Sequence, residues 1–266
     1  MSIQTIRSGA LEYRTAEGIS VPHCFTTRLG GVSTGSQASL NLAVGRGDTL
    51  ENVEENLKIL ANTLGFDLKN LAMTRQTHSD IVRAVTAADA NGPCHKDYPE
   101  CDGLVTNTPG VALLVFTADC TPILLHDPVT GAVGAVHAGW RGTVQAIAAK
   151  AVEAMAEHYG SKPENIRAAI GPNIGACHFE THRDVPDALE EALGSWVWKW
   201  ISCREGKYFP DLKQINSEIL LLHGVKQVEI SEECTYCAHQ RFWSHRYTKG
   251  DRGSQGALIV CREVCL

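Results

Sequence analysis

No stretch of the 266 residues approaches the roughly 20 consecutive apolar residues that a membrane-spanning helix requires. The opening, MSIQTIRSGALEYRTAEGIS, lacks the basic, apolar, small-residue order of a secretory signal. A cytoplasmic location without a membrane partner is therefore expected. Basic runs are missing too: Lys and Arg are scattered and the formal net charge is −6, so the phosphate attraction behind nucleic-acid binding is not expected. No internal repeat, low-complexity tract or linker-like shift divides the chain, which predicts one domain over residues 1–266. What is there is ordinary globular composition, 44% hydrophobic and 20% charged, in a chain long enough to bury a substantial core. The ten cysteines, in a chain of this size without an export signal, read as reduced thiols or metal ligands rather than disulfides.

Strand and helix patterns alternate. The segment from Gly30 to Asp48 is rich in Gly, Ser and Asn and predicts a long irregular loop. After it, Val53, Leu57, Leu60 and Leu64 recur at helical spacing behind Thr49, a plausible N-cap. AMTRQ and DIVRAV predict two short strands with QTHSD at their junction, and VALLVFTA, from Val111 to Ala118, has the unbroken apolar character of a strand covered on both faces. PILLHD and AVGAVHA predict further buried strands. GWRG then leads into one alanine-rich helix through TVQAIAAKAVEAMAEHYG. Beyond it come a strand ending at Gly171–Pro172, a helix in RDVPDALEEAL, a helix over Asp211–His223, and strands in VKQVEIS and ALIVCREV. The alternation supports an α/β or α+β class, with a mixed β-sheet and flanking helices.

Three residues capable of metal chemistry fall in polar breaks at predicted strand ends: His78 in QTHSD, Cys120 in TADCTP and His137 in VHAGWRG. Strand ends can converge on one cleft. Two imidazoles and a thiolate suit a borderline-soft ion such as zinc, and three protein ligands leave a fourth position open, as in catalytic zinc sites.

LNLAVGRGD, TRQTHSD, CDGLV, TADCTPILL, VHAGWRGT, AAIGPNIGACHFE and FWSHR together resemble the bacterial laccase-domain family, from roughly Thr26 to Ile259. That family is also called single-domain polyphenol oxidase, and its members have been assigned as purine nucleoside phosphorylases with adenosine deaminase activity. The resemblance places the family's zinc-binding histidine, cysteine and histidine on His78, Cys120 and His137. It implies a single α/β sandwich, distantly similar to the catalytic domain of a toxin that deamidates glutamine with cysteine and histidine. The implied ligands are a small-molecule nucleoside and phosphate, and the implied cofactor is zinc, with copper as the alternative for a phenol oxidase.

Other readings stay open. Cys120 and His137 can serve as a nucleophile and its base in a hydrolase or deamidase, acting for example on a cell-wall precursor, and a non-enzymatic metal-stabilised domain would need a closed four-ligand site. Arg141, at a helix start, can pair with a surface carboxylate or gather phosphate, and the resemblance favours phosphate or substrate. Asn41 either makes a turn or hydrogen-bonds a nucleoside. Asp102 can cap a turn, orient a metal-bound histidine, or carry protons as an acid and base. Arg246 is a possible second anion contact, Phe242 and Trp243 read foremost as core, and His245 receives no role. Cys234 and Cys237, with Cys261 and Cys265, offer the spacing of a structural zinc knot. The oligomeric state is not legible.

Overall fold

The computed structural model describes residues 2–45, 47–93 and 100–263. The chain opens with β1 (Ile3–Ser8), β2 (Leu11–Ala16) and β3 (His23–Thr26). The Gly/Ser-rich segment that follows contains a short 3-10 turn and ends at α1 (Leu50–Leu64). Next come β4 (Leu71–Ala72), β5 (Val82–Ala84), β6 (Gly103–Thr106), β7 (Ala112–Thr117), β8 (Thr121–His126) and β9 (Val133–Ala138). They lead into α2 (Trp140–Val144), α3 (Ile147–Tyr159), β10 (Arg167–Ile170) and α4 (Asp184–Leu193). A hairpin, β11 (Ile201–Arg204) and β12 (Lys207–Pro210), precedes α5 (Leu212–Leu222), β13 (Gln227–Ile230), α6 (His245–Thr248) and β14 (Gln255–Val260).

Two six-stranded sheets form, ordered β1-β2-β3-β14-β7-β4 and β13-β10-β8-β9-β6-β5. Each is mixed: β4 pairs parallel with β7 in the first, and β10/β13 and β5/β6 pair parallel in the second. The α/β class and the sandwich hold, with two mixed sheets where the sequence suggested one.

Strand alternation explains the layers. Leu113 and Val115 of β7 and Ala257 and Ile259 of β14 meet Leu104, Leu124, Val133, Ala135 and Ala169 of the second sheet in an inter-sheet core. The opposite residues, among them Leu114, Leu258 and Val260, pack under Val53, Leu57, Leu60 and Leu64 of α1. On the second sheet Ile123, Leu125, Val136 and Ile170 pack under α3, α4 and α5. The result is four layers, helix on sheet on sheet on helix, with both faces of each central strand buried. That is why VALLVFTA and PILLHD read as unbroken apolar runs.

Local signals explain the helix ends. Thr49 Oγ1 accepts from Asn52 N at 3.2 Å, and α1 stops at Gly65, whose left-handed φ of 69° suits glycine. The alanine-rich helix is not continuous: α2 stops at Val144 and Ala146 turns left-handed (φ 53°) before α3 begins. Propensity extends a helix through this point, but Asn216 Nδ2 of α5 donates to Thr143 Oγ1 at 2.9 Å, fixing the α2 end by a tertiary contact. The AMTRQ strand is also shorter than expected, ending at Ala72, so His78 lies in the loop between β4 and β5. Sequence periodicity missed both the β1/β2 and β11/β12 hairpins. No helix among the described residues is long and apolar enough to cross a membrane.

Leu124, fully buried between the sheets, tests the layering. Leu124→Ala is expected to cost about 2–5 kcal/mol of stability, measured from the denaturant midpoint.

Candidate metal centre

Two of the chain crossings between the sheets at this end carry a candidate ligand. The β4-to-β5 loop holds His78, and the β7-to-β8 turn holds Cys120. His137 lies on β9, paired in register with Pro122, and shares the parity of Val133 and Ala135, which face the inter-sheet core. Pairing between distant strands thus brings the three together. Their donor atoms lie within 4.8 Å of one another, and Cys120 Sγ stands 3.9 Å from His78 Nε2. A tetrahedral zinc with ordinary bond lengths sets sulfur and nitrogen ligands about 3.5 Å apart, so the donor set fits one such ion.

The tripod is braced by Asp102, which is fully buried before β6. Its Oδ1 accepts from His137 Nδ1 at 2.7 Å and from His78 N at 3.1 Å. Its Oδ2 accepts from Thr77 N at 3.1 Å and from Ser79 N and Oγ, each at 2.7 Å. His78 is left-handed (φ 60°), which curves three successive amides of the 77–79 loop around one carboxylate. Burial pushes the Asp102 carboxyl up, but hydrogen bonds from His137 and Ser79 outweigh it and hold it down at about 2. Burial also opposes charge on Cys120 and His137, and their mutual attraction wins. The thiol falls to about 6, and the imidazole, held also by Asp102, rises to about 9. A thiolate with an Nδ1-anchored imidazole beside it is ready to take a cation.

Two further residues in these motifs matter. Asp119 (φ 86°) is held by Thr235 Oγ1 on Oδ1 at 2.6 Å and by Arg246 N on Oδ2 at 2.7 Å, which aims the adjoining Cys120. Gly139 is glycine for space: a Cβ there would sit 2.9 Å from His78 Cδ2 and 3.3 Å from Cys120 Sγ.

The tripod closes one end of a pocket of about 560 Å³. Leu42, Val44, Leu50, Leu57, Met73 and Phe116 supply an apolar wall, and the cations in its lining are Arg75 and Arg252. That volume suits a small organic molecule.

The residues from Pro22 to Arg262 match the family model described as "Multi-copper polyphenol oxidoreductase laccase". The chain belongs to this family. A purine nucleoside phosphorylase of Deinococcus radiodurans is 42% identical over 92% of this chain and 90% of that protein, and purine nucleoside phosphorylase YlmD of Geobacillus stearothermophilus is 38% identical over 90% and 89%. The crystal structure of YlmD from G. stearothermophilus superposes with a TM-score of 0.90 at 34% identity, covering 98% of this chain and 99% of that one. That of the hypothetical protein YfiH of Bacillus licheniformis also gives 0.90, at 33% identity over 98% and 99%. Laccase-family membership and the two-sheet sandwich are thus consistent with each other.

Within this family member, several expected site residues occupy other places. Asp102 is sealed from the pocket and spends both oxygens on the loop and His137, so it positions rather than shuttles protons. Arg141 is exposed, lies with its guanidinium 4.3 Å from the Trp140 ring centre, and is not in the pocket lining. Asn41 is fully buried. Its amide donates to Ala43 O and Asp48 Oδ2 and accepts from Ser254 N, which gives it the turn-making role. Arg246 donates to Glu180 O from both terminal nitrogens at 3.1 Å, away from the lining. Phe242 and Trp243 are core, and His245 opens α6. Cys261 is buried in the inter-sheet core with Sγ toward Gly131 O at 3.4 Å, so it does not join Cys234 and Cys237, while Cys265 lies outside the described residues.

Asp102→Asn is expected to weaken the affinity of the tripod for added zinc about 10–100-fold, read by competition with a chromophoric chelator. In metal-stripped protein, alkylation of Cys120 should follow a titration centred near pH 6, slow below it and fast above it. Cys24, held at about 12 by burial, should stay inert at neutral pH in the same peptide map.

Proposed function

We propose that this protein is a zinc-dependent purine nucleoside phosphorylase acting on adenosine-, inosine- or guanosine-type nucleosides, and that it also deaminates adenosine. One observation carries the reading: a single pocket joins the His78, Cys120 and His137 tripod to an apolar wall and to two guanidinium groups. The names of its similar relatives support the same class.

The apolar wall takes the flat face of the purine. Arg75 and Arg252 take the place first given to Arg141 and gather phosphate beside the sugar. Phosphate oxygen forms a bond to C1′ while the bond from C1′ to the base nitrogen breaks. Its electron pair leaves on the purine, which takes up the proton given up by the attacking hydrogen phosphate and departs as the free base, with ribose 1-phosphate as the other product. His78, Cys120 and His137 would hold the ion, Asp102 fixes the His137 ring through its Nδ1, and zinc bound there would supply Lewis acidity. Copper fits the same donors, but a tripod for one ion does not supply the several coppers with which laccases reduce dioxygen to water.

A second reading has its own observation. The Cys120 thiol held at about 6 beside His137 is also the pair of a cysteine hydrolase. Metal dependence separates the two.

The metal-defined enzyme, incubated with inosine or adenosine with and without phosphate, should release free base and ribose 1-phosphate only when phosphate is present. Inosine formed from adenosine without phosphate reports the deamination. No base release at any phosphate concentration defeats the phosphorylase reading, and oxygen uptake with a phenol after copper loading favours the oxidase. Cys120→Ser should abolish zinc binding at the tripod and turnover together, whereas activity that persists after complete metal removal favours the hydrolase. Arg252→Ala should raise the KM for phosphate about tenfold or more, the size of one lost charge-assisted contact.

A further inference from the structure

Away from the tripod, two segments far apart in sequence place three thiols and an imidazole together. Cys177 and His178 follow the Gly171–Pro172 turn after β10, and Cys234 and Cys237 follow β13. Their donor atoms all lie within 4.8 Å of one another. Cys177 Sγ is 3.7 Å from Cys237 Sγ, and His178 Nδ1 is 3.3 Å from each of those sulfurs. Ligands around a tetrahedral zinc stand about 3.8 Å apart for two sulfurs and about 3.5 Å for sulfur and nitrogen. The described cysteines form no disulfide, so these thiols are not joined to one another.

The backbone is arranged for the same purpose. Gly175 N donates to Cys234 Sγ at 3.2 Å, and the amides of Tyr236 and Cys237 are directed at the same sulfur. Amides two and three residues beyond the first cysteine of a CxxC turn stabilise a thiolate there. The His178 ring stacks on Tyr236 with centres 4.0 Å apart, which fixes its orientation, and Arg204 Nη2 holds Ala176 O at 2.8 Å. Neither the tripod nor its pocket uses any of these four side chains.

We propose that Cys177, His178, Cys234 and Cys237 form a second metal site, a closed structural zinc knuckle that clasps the loop after β10 to the loop after β13. Four protein ligands leave no open position, so the site is structural and the chemistry stays at the tripod. Thr235, inside the CxxC turn, donates to Asp119 next to Cys120, so the clasp also braces the first site.

Zinc content of the purified protein, measured by mass spectrometry of the metal, should be two equivalents per chain. Cys177 and Cys237 are exposed, so Cys177→Ser and Cys237→Ser are expected to fold. Each should retain one equivalent, Cys120→Ser should retain the other, and the Cys120→Ser/Cys237→Ser double variant should hold none. Cadmium-exchanged wild type should show two NMR resonances, one at the lower field of a three-thiolate environment, a result that does not depend on any variant folding. A single equivalent that is lost in Cys120→Ser, no cadmium resonance at the three-thiolate position, an unchanged metal count in Cys237→Ser, or a Cys177–Cys237 disulfide in freshly purified protein would each overturn the proposal. Since the count is taken without substrate, it stands or falls separately from the phosphorylase reading.

Discussion

One buried carboxylate governs the geometry of the tripod. Asp102 gathers three successive amides of the His78 loop on one side and the Nδ1 of His137 on the other, so two of the three ligands take their positions from a single group. A charge buried this deeply is tolerated only when its lone pairs are satisfied, and here five donors satisfy them. Those bonds also force His78 into a left-handed backbone, a strain that the carboxylate compensates. Aligning the imidazole lone pairs with the Cys120 sulfur is what turns three ordinary side chains into a cation site.

The sandwich gives that carboxylate its setting. His78 and Cys120 sit where the chain passes from one sheet to the other, and the core beneath them is sealed by Leu104, Leu113, Leu124 and Ile259. Crossing loops anchored at both ends on rigid strands hold side chains more precisely than a free surface loop can. The pocket opens between this crossing and α1, so the helix that covers the first sheet also lends its Leu50 and Leu57 to the ligand's wall.

Much of this was legible in the residues. The apolar spacing of Val53, Leu57, Leu60 and Leu64 and the unbroken runs at β7, β8 and β9 report local chemistry and appear in the fold as read, and His78, Cys120 and His137 do come together. The errors share a cause. Arg141 at a helix start looked suited to phosphate, yet its side chain stacks on Trp140 outside the pocket, because direction is set by neighbours and not by position in an element. Asn41 and Asp102 each carried more than one reading, and hydrogen bonds to segments up to 213 residues away select the turn for the first and the histidine-orienting role for the second. Cys234 and Cys237 announced a metal turn, but their partners were sought at Cys261 and Cys265 instead of the adjoining pair Cys177 and His178, which no spacing rule connects to them.

The order of residues along the chain was thus enough to specify the α/β class, most of the buried strands, α1 with its cap, and the donor types of the tripod. The first three follow from nearest-neighbour periodicity; the tripod donors suit a soft ion by their chemistry, but it was the resemblance of their motifs to the laccase-domain family that singled them out. Folding in three dimensions alone settled that the described strands form two six-stranded sheets and a separate hairpin, which guanidinium groups face the pocket, that Asp102 is a brace, and which cysteines meet. Those outcomes rest on strand pairing and packing between segments separated by tens to hundreds of residues, and local pattern carries no record of such contacts.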